Sequence, residues 1–181
     1  MFERIDHIAT VLGSILMKLC AVAVILMMLA VLVQVAASRA GVTTVLHLPS
    51  EWPLFGTAIT LNSLTDLQWY LLALIALLPA GIVWLRGVHV RVDFLFANLG
   101  PRGQATIDLI GLVVFALPFL ILIVPDAWTA VVTSFNRGEA SPDGGMTDRF
   151  IARASMPIGL GLLGIALLFE AWRYIRKWRN G

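Results

Sequence analysis

Three histidines are the side chains of this sequence best suited to ligand chemistry, because imidazole binds haem iron and transition metals. Four-helix membrane anchors of electron-transfer enzymes hold haem between histidines on facing helices. His7, His47 and His89 all lie outside the long apolar runs, so no pair of them is expected inside a helix bundle. We predict no cofactor, and a haem- or quinone-associated four-helix anchor of an electron-transfer complex remains the alternative function.

Other reactive residues form no catalytic pattern. The sequence has no paired-histidine zinc motif, nucleophile elbow or glycine-rich phosphate loop. The single cysteine, Cys20, lies in an apolar run, where neither an intramolecular disulfide nor a cysteine-based metal site can be built from it. We therefore predict no catalytic residue and no metal site, and we do not expect an enzyme.

A charged segment, residues 86–106, separates two apolar halves of the chain. Its apolar residues recur at roughly helical spacing while its arginines can face water or lipid headgroups, which predicts an interfacial segment between two membrane spans. Its charged residues fit either a solvated interfacial face or an anchor in which Arg91 binds a lipid phosphate or a partner carboxylate. In the second interpretation, Asp93 caps the following helix. The predicted partner or lipid interface comprises His89, Arg91, Asp93, Arg102, Asp108 and Trp69.

Composition places the protein in a membrane. The chain has 181 residues, of which 59% are hydrophobic and only 13% charged, and its mean hydropathy is +0.89. Soluble domains carry about 25% charged residues. The formal net charge of +2 is small and no basic stretch is interleaved with aromatic residues, so we do not predict nucleic-acid binding.

Four apolar runs predict the fold class, an all-α integral membrane protein with four transmembrane helices plus interfacial amphipathic segments. The first run far exceeds the ~7–15 apolar residues of a signal peptide, so we favour an uncleaved anchor over a cleaved signal. Pro157 is expected in the first turn of the fourth span and Pro125 at the end of the third. One membrane domain, residues 1–181, is predicted, with spans at 11–37, 67–85, 107–124 or longer, and 156–172, and interfacial segments at 38–66 and 86–106.

Polar residues are rare inside these spans. Lys18 and Gln34 interrupt the first one, and snorkelling of Lys18 to the headgroups is favoured over an ion relay because a buried charge costs ~2.5 kcal/mol or more. The spans contain no convergent polar site for a substrate and none of the inverted repeats of secondary transporters. Gly159, Gly161 and Gly164 form a thin helix face suited to close packing against another helix.

Orientation follows from the distribution of Lys and Arg. One lies in the N-terminal segment, three in residues 86–106 and four in the C-terminal tail, eight in all, against four in the first and third loops. The positive-inside rule places both termini and residues 86–106 in the cytoplasm.

Short motifs in the last two thirds of the chain resemble the DctQ-type small membrane subunit of tripartite ATP-independent periplasmic (TRAP) transporters. The resemblance runs in order from the second predicted span to the fourth. It is carried by Leu67-Gln-Trp-Tyr70, Gly87-Val-His-Val-Arg-Val-Asp93, Pro101-Arg102, Ile107-Asp-Leu-Ile-Gly111, Gly138-Glu-Ala-Ser-Pro-Asp143 and Pro157-Ile-Gly159.

The resemblance implies a subunit of a bacterial inner-membrane complex. In such systems a periplasmic substrate-binding protein delivers an organic anion, a carboxylate or similar acid, to a large multi-span subunit, and the sodium gradient drives uptake. The small subunit is a scaffold beside the large one, in contact with membrane lipids. A structural chaperone of unrelated complexes is the other class left open. For Glu139, Ser141 and Asp143, plain turn chemistry and contact with the binding protein are equal alternatives.

Overall fold

The computed structural model describes residues 2–87 and 99–180. Helix α1 is followed by a β-hairpin and by two helices that are separated by a two-residue turn. A π-helical turn then joins two further helices, and a long C-terminal helix ends the chain. The elements are α1 Phe2–Arg39, β1 Thr44–Trp52, β2 Gly56–Thr60, α2 Leu61–Leu77, α3 Ala80–Leu85, α4 Pro101–Gly111, the π-helical turn Leu112–Ala116, α5 Leu117–Arg137 and α6 Arg149–Asn180.

Four helical segments are long and apolar enough to cross a membrane, which confirms the predicted fold class. They are Val11–Arg39, Leu61–Leu85, Arg102–Arg137 and Arg149–Arg176. Here they are called spans one to four. Span two begins six residues before the predicted start because Thr60 caps α2. The Thr60 hydroxyl accepts the Ser63 N–H at 3.2 Å, and the Thr60 N–H donates to the Ser63 hydroxyl at 3.2 Å. This reciprocal capping starts the helix ahead of its apolar run.

The first loop holds an antiparallel β-hairpin that the sequence analysis did not anticipate. Strand β1 pairs with β2 in the register Leu46 to Ile59 and His47 to Ala58. The turn between them uses left-handed backbone at Leu54, with φ 73°, and at Gly56, with φ 60°. Glycine adopts this conformation without strain, whereas leucine does so at a cost in free energy.

The spans are arranged in succession rather than as a closed bundle. Helix α1 packs mainly against α2, the α2–α3 unit packs against α6, and α6 also packs against α4 and α5. Span four is therefore flanked on two sides, and 33% of its most apolar window is buried, against 6% to 11% for the other spans. The order one, two, four, three leaves most of the apolar surface of spans one, two and three uncovered.

The seam between α1 and α2 follows a heptad spacing. The α1 residues at alternating steps of three and four are less exposed than their neighbours, which is the periodicity of left-handed coiled-coil packing. The two helices are antiparallel, since Gln34 lies beside the start of α2 while Gly13 lies beside Arg86. The α1 seam consists of Gly13, Leu16, Cys20, Ala23, Met27, Ala30, Gln34 and Ala37.

Spans two and four cross at two glycines. A Cβ on Gly159 would lie 2.7 Å from the Leu77 Cβ and 2.8 Å from the Leu77 carbonyl oxygen. A Cβ on Gly81 would lie 2.8 Å from the Leu162 carbonyl oxygen. Because real Cβ atoms do not approach this closely, both helices depend on glycine for their backbones to meet.

The prolines break the helices at one place and not at two others. Pro79 separates α2 from α3, as expected for a residue without an N–H. Before Pro118, the Leu117 N–H bonds to the Leu112 carbonyl in the five-residue π pattern, which adapts the helix to the proline. The predictions for Pro125 and Pro157 were wrong, because Pro125 lies inside α5 and Pro157 lies nine residues into α6.

Candidate functional site

One end of the molecule gathers several polar contacts between distant segments. It consists of the hairpin, the first two turns of α2 and the loop of residues 138–148, and is called here the hairpin-end platform. Four hydrogen bonds along the loop hold it against α2 and the hairpin. They join Asn62 Nδ2 to the Asp143 carbonyl at 2.6 Å, Ser63 Oγ to the Gly145 carbonyl at 2.9 Å, the Met146 N–H to Asp66 Oδ2 at 2.9 Å, and the Thr147 N–H to the Leu54 carbonyl at 2.8 Å.

Asp66 is central to this docking. Its side chain is only 8% exposed, and Met146, whose N–H it accepts, is 1% exposed. A buried carboxylate needs donors to offset its desolvation, so the loop backbone and Asp66 stabilise one another. Gly145 passes directly over this contact, and a Cβ there would overlap Asp66 Oδ2 and the Asn62 backbone. The loop can therefore lie this close to α2 only with glycine at position 145.

The predicted binding-protein residues divide into internal and exposed positions. Glu139 Oε2 lies 2.9 Å from Arg153 Nη1 and joins the loop to α6. Ser141 is 7% exposed, and its N–H bonds to the Met146 carbonyl at 2.8 Å. Asp143 is exposed and its backbone, rather than its carboxylate, makes the loop contacts. Contact with a binding protein stays a prediction, for which Asp143 offers the exposed carboxylate.

A polar layer lies inside the membrane-spanning part of the α1–α2 seam. Gln34 Nε2 donates to Thr65 Oγ1 at 2.8 Å, and Gln68 Nε2 donates to Gln34 Oε1 at 2.5 Å. The Thr65 hydroxyl in turn donates to the Leu61 carbonyl at 3.1 Å. The three side chains converge, a contact that was not predicted. They bond to one another, so the layer joins two helices and need not hold a ligand.

The layer also explains part of the Leu67-Gln-Trp-Tyr70 motif. Gln68 faces span one, and Tyr70 is half-buried on the side of Asp66 and α6. Trp69 points away from both, with 65% of its surface exposed. Its role at a partner or lipid interface remains a prediction.

Replacing Gln34 by leucine is expected to weaken the attachment of span one. The change removes both hydrogen bonds that Gln34 makes to α2. Interhelical hydrogen bonds in membranes contribute about 0.6 kcal/mol on average and up to ~2. A double-mutant cycle of Gln34→Leu with Gln68→Leu, read from thermal unfolding in detergent, should give a coupling free energy in that range. The exposed neighbour Val33→Leu serves as control. Additive effects of the two glutamine changes would contradict the assignment.

Two of the remaining predicted interface residues, Arg102 and Asp108, lie in α4. Arg102 is exposed in the first turn of α4, where its carbonyl accepts the Thr106 hydroxyl at 2.8 Å. Asp108 is half-buried in the same helix. His89, Arg91 and Asp93 lie outside the described residues, so their anchoring role stays a prediction.

Sequence reasoning missed Glu170 as a candidate. This carboxylate lies inside span four, is 7% exposed, and its Oε1 accepts from Arg173 Nη1 at 2.7 Å. An acidic residue three positions before an arginine near the end of an apolar run was the available signal. Within residues 2–87 and 99–180, no group of three metal-ligating side chains comes together.

The fold and the hairpin-end platform define a polytopic membrane protein. Comparison with known families gives the more specific result. The family described as "Tripartite ATP-independent periplasmic transporters, DctQ component" matches residues 54–177, more than half of the chain. The chain belongs to the DctQ family, a family of transporter components. The matched range includes the hairpin turn, the docked loop and spans two to four. No curated protein and no solved structure matches the chain.

Proposed function

We propose that this protein is the small membrane subunit of a TRAP transporter and supports the large subunit during sodium-driven, binding-protein-dependent uptake of an organic anion, a carboxylate or similar acid. The family match over residues 54–177 is the observation that carries the proposal. It favours this function over a haem-associated anchor. The large subunit, the periplasmic binding protein and membrane lipids are the proposed partners, and the bacterial inner membrane is the location.

The open arrangement of the spans supports a scaffold role. Spans one and two bury only 6% of their most apolar windows within this chain, and span three buries 11%. Such spans leave broad apolar faces for a partner helix or for lipid. The polar layer at Gln34 is already satisfied by Thr65 and Gln68. A subunit of this kind holds a neighbour in place while the substrate and sodium sites lie elsewhere.

Reconstituted uptake tests this proposal. Liposomes with the large and small subunits, loaded binding protein and an inward sodium gradient should accumulate a labelled organic acid, and omission of the small subunit should abolish most of the uptake. Dissipating the sodium gradient should have the same effect. Full uptake by the large subunit alone would refute the need for the small subunit, and tight binding of the acid to the isolated small subunit would refute the scaffold role.

We also propose that the hairpin-end platform faces the periplasm and both termini face the cytoplasm. The charge distribution supports this orientation, since Arg86, Arg102 and the C-terminal arginines lie at the end opposite the platform. Cysteine labelling with a membrane-impermeant reagent, in a Cys20→Ala background, should modify a cysteine introduced at Asp143 in intact cells. A cysteine at Arg179 should react only after lysis. The reverse pattern would overturn the orientation.

A further inference from the structure

The outer surface of α6 carries an apolar stripe that ends in arginines. The stripe residues recur at steps of three and four and are 39% to 54% exposed, so they lie along one side of the helix. The opposite side of α6 is occupied, with Gly159 against Leu77 and Gly164 against Leu120. The stripe consists of Leu162, Ile165, Phe169 and Trp172, followed by Arg176 and Arg179.

The end of the stripe has the chemistry of a headgroup site. The Arg176 guanidinium lies 5.5 Å from the centre of the Trp172 ring, within the range of cation–π attraction. Arg179 is exposed one turn further along the same side. An amphipathic aromatic ring beside guanidinium groups is the arrangement found at the hydrocarbon–headgroup boundary, where guanidinium groups bind phosphate with paired N–H donors.

The acidic residue in this part of α6 lies outside the stripe. Glu170 lies on the side of α6 that faces the rest of the protein, is 7% exposed, and is paired with Arg173. The stripe from Leu162 to Arg179 carries no carboxylate. A phospholipid supplies an anion and an apolar chain in the order in which the stripe presents its arginines and its apolar side chains.

We propose that the α6 stripe binds an anionic phospholipid, with an acyl chain along Leu162, Ile165 and Phe169 and the phosphate at Arg176 and Arg179. The lipid stabilises the basic end of span four in the membrane and extends the apolar surface of the subunit. This site is independent of which acid the transporter carries and of whether the platform receives a binding protein.

Quenching of Trp172 fluorescence by brominated lipid tests the site. The full chain is reconstituted into phosphatidylcholine vesicles containing dibrominated phosphatidylglycerol or dibrominated phosphatidylcholine, and the Trp172 contribution is the difference from Trp172→Phe. Each arginine near an anionic surface contributes roughly a fivefold preference. We expect phosphatidylglycerol to be favoured at Trp172 by at least about fivefold, and Arg176→Gln with Arg179→Gln to lower that preference by at least about fivefold.

The matched control is Arg137→Gln, an exposed arginine at the end of α5 near the platform. It should leave the preference unchanged. Equal quenching by the two lipids in the wild-type protein, or an equal loss in the Arg137 variant, would overturn the proposal. So would protection of Trp172 from both lipids in the complex with the large subunit, because that result would assign the stripe to a protein helix.

Discussion

Alanine at Gly81 or Gly159 is expected to destabilise the protein more than any other single methyl group added to its spans. In each case the new Cβ would lie 2.7–2.8 Å from backbone or Cβ atoms of the facing helix. Backbone cannot rotate away as a flexible side chain can, so the helices must separate. Overpacking of this kind costs about 1–3 kcal/mol, and here it also loosens the contact between the two halves of the molecule.

Gly161→Ala is the matched control for this prediction. Gly161 lies in the same helix, two residues after Gly159, but a Cβ there meets no atom within 4 Å. Alanine at this position should be neutral or slightly stabilising, because glycine is the poorer helix former by ~1 kcal/mol. The midpoint temperature of thermal unfolding of the purified subunit in detergent should fall markedly for Gly81→Ala and Gly159→Ala and should not fall for Gly161→Ala. Equal behaviour of the three variants would refute the crossing.

The comparison among glycines shows what the sequence could and could not predict. Gly159, Gly161 and Gly164 were all expected to pack against another helix. A Cβ on Gly159 would meet Leu77 and one on Gly164 would lie 3.4 Å from Leu120 Cδ1, while one on Gly161 would meet no atom of the described residues within 4 Å. Helical spacing indicates which residues share a side of a helix. It does not indicate which neighbouring helix lies on that side, because this depends on contacts between segments far apart in sequence.

The spans were predictable because apolar length is a property of each segment alone. The hairpin was not, because Pro49 lies within β1 and Pro53 in the turn, and proline in a run normally argues against a strand. A two-stranded ribbon has open edges where such a residue is tolerated. The strands are further held by a distant segment, since the Leu54 carbonyl accepts the Thr147 N–H, and no local pattern reveals that contact.

The polar layer was partly visible in the sequence. Gln34 was recognised as an exception in span one, and Gln68 belongs to a motif that carried the family resemblance. Neither observation alone shows that the two amides meet. Their pairing follows from the antiparallel heptad seam, which places a residue late in α1 beside one early in α2. A polar residue in such a seam favours one register, because any shift would leave its hydrogen bonds unmade.

Replacing Asp66 by alanine is expected to release the loop of residues 138–148 from the platform. The Met146 N–H would lose its acceptor while remaining buried, and an unsatisfied buried donor costs about 1–3 kcal/mol. Asp66→Asn keeps an oxygen acceptor but loses the charge. Because charge-assisted hydrogen bonds are about twice as strong as neutral ones, this variant should show roughly half of the destabilisation of Asp66→Ala. Asp143→Ala removes an exposed carboxylate of the same loop and should leave its docking unchanged.

Hydrogen exchange provides the measurement. In the wild-type protein the Met146 amide should be strongly protected, because it is buried and bonded to Asp66 Oδ2 at 2.9 Å. Protection of the Met146 amide should fall severalfold or more in Asp66→Ala, less in Asp66→Asn, and not at all in Asp143→Ala. The rate at which an added protease cleaves the loop should rise in the same order, most in Asp66→Ala and not at all in Asp143→Ala. Unchanged protection in Asp66→Ala would refute the role of Asp66. If the loop is released and uptake by the assembled transporter survives, the docked loop has a structural role only. If uptake falls while the two membrane subunits still copurify, the hairpin-end platform is the surface that receives the loaded binding protein.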